Sequence, residues 1–147
     1  MRFAHTNIVA SDWKRLAEFY STVFGCAPVP PSRDMAGKWL DGGTGLINAR
    51  LRGVHLRLPG HGANGPTLEI FQYDDSGKSG QRAANDCGFT HIAFEVDDVG
   101  ACAQLVLANG GQKLGEVVET KVEEAGQLTF VYMRDPEGNI LELQHWG

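Results

Sequence analysis

Read for period-2 alternation, the stretch Phe89–Asp98 (F-T-H-I-A-F-E-V-D-D) has two unlike faces. Ile92, Phe94 and Val96 make an apolar stripe, while Phe89, His91, Ala93 and Glu95 point the other way. The pattern predicts a half-buried strand with an imidazole opposite its packing face. Arg2–Ala10 reads alike: His5 shares a face with Phe3 and Asn7, and Ala4 and Ile8 take the other. Ser11-Asp12 is a capping pair, after which Trp13, Leu16, Ala17, Phe19, Tyr20 and Val23 recur at helical spacing. Gly25 takes the place after a helix that favours glycine. Cys26–Pro31 carries prolines and predicts an edge strand or loop. Ser32–Gly45 is polar and glycine-rich and predicts a mobile loop carrying Trp39. Leu46–Leu58 predicts a long strand with a bulge or break at Gly53, Pro59–Pro66 a turn, and Thr67–Tyr73 another strand. Asp74–Asp86 has a linker's composition.

After the linker the order repeats. The His91 strand leads through Asp97-Asp98 to a helix with Val99, Cys102, Leu105, Val106 and Ala108, ending at Gly110-Gly111. His5 and Gly25 are 20 residues apart, as are His91 and Gly111. Gly115–Val122 and Leu128–Met133 predict strands, and Asp135-Pro136-Glu137-Gly138-Asn139 a turn. Ile140–Gln144 then mirrors Thr67–Phe71. Each half reads strand, helix, then about three strands, an α+β organisation of two βαβββ modules. The expected arrangement is one domain over 1–147, with module one at 1–75, a linker at 76–86 and module two at 87–147. Two such modules together would bury one continuous core.

At 147 residues the chain is long enough for such a core. A net charge of -5 argues against non-specific binding to nucleic acid, and no apolar run approaches the ~20 residues that would cross a bilayer. The N-terminal residues lack the apolar core of a signal peptide. Cys26, Cys87 and Cys102 are odd in number and show no C-x-x-C spacing, the pattern of free thiols in a reducing cytoplasm.

Four residues carry candidate chemistry. His5 and His91 lie in the first strand of each half, and Glu69 and Glu142 in the last, each with apolar neighbours on the opposite face. All four would be costly to bury unpaired. Alone, a strand histidine is usually structural and a glutamate in L-E-L usually faces solvent. Recurrence at matching places of a repeat sets this quartet apart. Two imidazoles and two carboxylates converging on one point suit divalent Ni, Co, Mn, Fe or Zn and leave room for water or substrate. A polar cavity without metal is the alternative.

These features are where the chain resembles the vicinal-oxygen-chelate superfamily, which includes glyoxalase I, methylmalonyl-CoA epimerase, fosfomycin-resistance enzymes, extradiol dioxygenases and bleomycin-resistance proteins. The marks are H-T-N-I-V-A-S-D with F-Y-S-T-V-F-G, then L-E-I-F, F-T-H-I-A-F-E-V-D-D and D-P-E-G-N-I-L-E-L, spread over nearly the whole chain. The resemblance implies sheets that curl around a central metal site. The set His5, Glu69, His91 and Glu142 is most similar to that of bacterial glyoxalase I, which implies a metal-dependent lyase or isomerase moving a proton through a metal-bound enediolate. Glu142 is then the candidate base, with Glu69 as partner. The implied substrate is a small molecule, anionic or a glutathione adduct, and the implied assembly a cytoplasmic homodimer. Alternatives are an epimerase or a dioxygenase of the same superfamily, or a metal-free protein that sequesters a small molecule. No Asp or Glu falls between Thr44 and Thr67, which counts against the epimerase.

Arg50 and Arg52 share one strand face, as do His55 and Arg57. A solvated face is the plain reading, and recognition of an anionic substrate group by Arg50 and Arg52 the functional one. Phe71, Tyr73 and Trp39 are candidate pocket walls. His61 reads as exposed, His145 as a surface or interface residue, and Cys87 and Cys102 as structural.

Overall fold

The computed structural model describes residues 1–77 and 80–147. Contacts divide the chain into two compact units, residues 1–78 and 79–147. The linker expected at 76–86 includes two residues, 78 and 79, that lie outside the described ones. Each unit is α+β, and the two hold mixed sheets of four and five strands.

In the first unit the elements are β1 (His5–Val9), α1 (Trp13–Phe24), β2 (Ala27–Ala36), α2 (Lys38–Thr44), β3 (Arg50–Arg57) and β4 (Thr67–Tyr73), in sheet order β1-β4-β3-β2. β1 runs parallel to β4, and the other pairings are antiparallel. α1 starts where Asp12 accepts a hydrogen bond from the Arg15 amide (3.1 Å) and stops at Gly25, whose φ of 67° a side chain would resist. Its Leu16, Phe19, Tyr20 and Phe24 are buried on the face that meets β3 and β4, where Leu56, Leu68 and Ile70 are also buried. Burying each such side chain contributes about 1.5–3 kcal/mol.

Three expectations for this unit need correction. The edge strand runs to Ala36, and a register shift between Val29 and Arg33 accommodates Pro30-Pro31. Being at the sheet edge, β2 needs no ladder donor from these prolines. Part of the expected loop is α2, whose Asp41 accepts from the Ala49 amide at 2.7 Å and whose end is set by Gly45 at φ 72°. β3 begins only at Arg50 and is not broken at Gly53. A Cβ there would collide with the Ile70 carbonyl oxygen and come within 2.6 Å of Phe71 Cδ1, so only glycine lets β4 approach this closely.

The second unit contains β5 (His91–Glu95), α3 (Val99–Ala108), β6 (Gln112–Lys113), β7 (Val118–Val122), β8 (Gly126–Arg134) and β9 (Ile140–Trp146). Its order is β5-β9-β8-β6, with β7 also paired to β8 and β5 parallel to β9. Asp98 caps α3 as Asp12 caps α1, accepting from the Ala101 amide at 2.8 Å. Val99, Cys102, Ala103 and Val106 are its buried face. Gly111, spaced from His91 as Gly25 is from His5, has another task. A Cβ there would lie 2.5 Å from Val106 Cγ1 and 2.6 Å from the Arg134 carbonyl oxygen, while the positive φ belongs to Gly110.

The turn before β9 closes on Asp135, which is fully buried. Its Oδ1 accepts from the Glu137 and Asn139 amides (2.9 Å each), and its Oδ2 from Asn139 Nδ2 (2.8 Å). Gly138 supplies the positive φ the turn requires. No helix among the described residues is long and apolar enough to cross a membrane.

Candidate functional site

In the first unit the β1–β4 and β3–β4 registers fix which side chains share a face. Asn7 and His55 are the two cross-strand partners of Glu69, and His5 stands one pleat away opposite Thr67. All lie on the face opposite Leu56, Leu68 and Ile70, where α1 packs. His5 Nδ1 is 3.3 Å from Glu69 Oε1, and His55 Nε2 is 3.3 Å from the same oxygen. Glu69 is 7% exposed, so its carboxylate needs these partners.

The His55 ring rests against Phe71 (centroids 5.6 Å apart). Burial pushes its pKa below the ordinary imidazole value; Glu69 pulls the other way, and Arg33, His5 and Arg57 add to the lowering. The imidazole is therefore neutral at neutral pH.

In the second unit Ala93 and Tyr132 are the cross-strand partners of Glu142, and His91 lies opposite Ile140. His91 Nε2 is 3.0 Å from Glu142 Oε2, and its Nδ1 is 3.1 Å from Thr90 Oγ1. The Tyr132 ring packs on that of His91 with centroids 5.0 Å apart. Burial first, and then the Glu142 charge, push the Tyr132 pKa upward, so this phenol stays protonated.

The structure thus joins the predicted residues as two pairs, His5 with Glu69 and His91 with Glu142. Their donor chemistry fits a divalent ion. Each pair sets an imidazole nitrogen beside a carboxylate oxygen, at 3.3 Å and 3.0 Å, and both are donor types that such an ion takes. Without an ion the same spacing serves an N–H···O contact. Among the described residues no group of three or more His, Cys, Asp or Glu is gathered as a metal cluster. His5, His55 and Glu69 are no exception, since both rings address one carboxylate oxygen.

The other sequence candidates lie elsewhere. Arg50 and Arg52 sit on the face of β3 opposite His55. Arg50 makes a two-pronged contact with Asp34 (3.0 and 3.1 Å), and Arg52 reaches Asp74 at 2.8 Å. Nothing in the first unit directs either toward Glu69. Phe71 is buried with Leu40, Ala49 and Leu51, with Tyr73 packed against them, so its ring wall is offered to His55. Trp39 and His61 are exposed. His145 is half-buried with Nδ1 2.9 Å from the Val96 carbonyl. A recess of about 400 Å³ in the first unit is bordered by Lys38, Asp41, Asn48, Arg50 and Asp74 and does not include the His5–Glu69 pair. Cys26, Cys87 and Cys102 are free thiols, and burial raises Cys26 to about 11, which leaves it unreactive.

Sequence reasoning did not single out Tyr132 and placed His55 only beside Arg57. The missing information was strand register, which sets both residues opposite the two glutamates.

The profile of the Glyoxalase/Bleomycin resistance protein/Dioxygenase superfamily matches residues 2–143. Among solved structures, a glyoxalase family protein from Bacillus cereus is 17% identical with a TM-score of 0.76, covering 99% of this chain and 93% of its own. A glyoxalase-related enzyme from Fulvimarina pelagi is 20% identical (TM-score 0.59; 99% and 88% covered). A fosfomycin resistance protein from Listeria monocytogenes is 16% identical (TM-score 0.60; 100% and 92% covered). At these identities the likeness is one of fold. No curated protein matches the chain significantly.

Proposed function

This chain belongs to the Glyoxalase/Bleomycin resistance protein/Dioxygenase superfamily, and from that premise we infer that it is a metal-dependent lyase or isomerase of glyoxalase I type. The observation that carries the reading is the doubled pair. In each unit a first-strand histidine lies 3.0–3.3 Å from a last-strand glutamate, on the sheet face away from the helix. We assign His5, Glu69, His91 and Glu142 as the protein donors to a divalent ion, Ni, Co, Mn, Fe or Zn. A bound ion would supply Lewis-acid stabilisation of the negative charge that develops on substrate oxygens.

The proton chemistry belongs to the carboxylates. Glu142 takes a proton from one carbon of the substrate and returns it to the neighbouring carbon, so that the reaction neither gains nor loses a proton. Glu69 is its partner. Thr90, beside His91 Nδ1, fixes the ring so that Nε2 faces Glu142. The substrate class that suits this chemistry is a small α-hydroxycarbonyl compound or a thiol adduct such as that of glutathione, handled by a homodimer.

Turnover of methylglyoxal with glutathione by metal-loaded protein tests the reading, beside Glu142→Gln. Formation of the thioester by wild type and its loss in the variant is the expected result. If no turnover occurs, acyl-CoA epimers and oxygen uptake with iron-loaded protein test the other superfamily chemistries. Small-molecule binding without turnover, unaffected by Glu69→Gln and Glu142→Gln, would mean a sequestering protein.

A further inference from the structure

The two halves repeat the His–Glu pair but not its surroundings. Glu69 is flanked on its neighbouring strands by Asn7 and His55, Glu142 by Ala93 and Tyr132. On one side the contrast is an amide against a methyl group, and Asn7 Nδ2 reaches the Glu69 backbone carbonyl at 3.5 Å. On the other it is an imidazole against a phenol. The imidazole addresses the carboxylate, with His55 Nε2 3.3 Å from Glu69 Oε1. The phenol ring is instead tilted against His91, with the two planes at 42°.

Resting on the metal reading above, we propose that His55 is a positioning residue that clamps Glu69 in place as a fixed ligand, leaving Glu142 as the carboxylate free to move protons. The chain of contacts behind the clamp is built into the sheet. Gly53 makes room for Phe71, Phe71 supports the His55 ring, and the ring presents Nε2 to Oε1. His55 is not itself a ligand. It stands on β3, outside the first-strand and last-strand positions that the two units repeat, and its counterpart across from Glu142 is Tyr132. With a proton on Nε2 the ring would be a donor aimed at Oε1 from 3.3 Å, the kind of outer contact that orients a ligating carboxylate. Ala93 and Tyr132 offer Glu142 no equivalent nitrogen donor.

The test uses the full chain as wild type, His55→Leu, His55→Gln and, as the matching change in the other half, Tyr132→Phe. Long-range ¹⁵N–¹H correlation spectra of metal-free wild type report the tautomer, which needs no metal. Competition with a chromogenic chelator then gives the Zn²⁺ and Co²⁺ affinity of each protein. The expected results are an Nε2–H tautomer for His55, a roughly 10–100-fold loss of affinity in His55→Leu, and near-complete recovery in His55→Gln, whose amide restores a donor. Tyr132→Phe stays close to wild type. An Nδ1–H tautomer overturns the proposal, as does a His55→Leu affinity equal to wild type. If His55→Leu fails to fold, His55→Gln decides: an affinity loss there as large as 10–100-fold contradicts rescue by a donor. Absence of binding even in wild type overturns the metal reading and the role of His55 with it, whereas binding that ignores His55 overturns this proposal alone.

Discussion

His55 Nε2 and Glu69 Oε1 face each other across the β3–β4 ladder at 3.3 Å, and this contact has a pH signature. Burial holds His55 below its ordinary value of 6.5 in the folded state. As pH falls past that value the unfolded chain binds the proton first, so stability declines; above it both states are neutral and the contribution vanishes. The urea midpoint of wild type should therefore drop more steeply between about pH 7.5 and about pH 5.5 than that of His55→Gln. Parallel declines would show that His55 is not held neutral by burial.

Gly53→Ala tests the close approach of β3 to β4. The added Cβ would meet the Phe71 ring and also the Ile70 carbonyl and Phe71 Cα, backbone atoms that cannot retreat without moving a central strand. Overpacking of this kind costs about 1–3 kcal/mol. Chemical denaturation should show that loss, and aromatic ring shifts of Phe71 and His55 should move together.

Asp135 has a structural task. Fully buried, it satisfies two amides and the Asn139 side chain at the turn into β9. Asp135→Ala leaves these donors without their acceptor, a loss of roughly 2–4 kcal/mol measurable by urea denaturation. Unchanged stability would mean that the turn is held by its backbone alone.

The two glutamates should respond differently to the same isosteric change. Glu142→Gln removes the proposed base and is expected to lower kcat by about 10²–10⁴-fold with metal still bound. Glu69→Gln is expected to weaken metal binding first, by more than the about 10–100-fold that loss of an outer partner costs, with activity recovering at high metal concentration. Equal behaviour in both assays would argue against separate roles.

Much of this arrangement was legible in the sequence because it is local. Asp12 and Asp98 announce their helices, and period-2 alternation places His5, His91, Glu69 and Glu142 away from the helix face. What escaped depends on register or on tertiary contacts. His55 is 14 residues from Glu69, and its parity alone groups it with Arg57 until the ladder is known. α2 contains Gly42 and Gly43, poor helix formers, and is supported by the Asp41 bond to Ala49 beyond its end. The Arg50–Asp34 contact likewise needs β2 to run past its prolines, which composition opposes.

The two His–Glu pairs are proposed above as the donors to one divalent ion. Elemental analysis of untagged protein tests this assignment, beside a His5→Ala/His91→Ala double variant. About one Ni, Co, Mn, Fe or Zn ion per four-residue set is expected in wild type, and loss of that ion in the folded variant. No metal in wild type after reconstitution, or equal metal in the variant, would contradict the assignment.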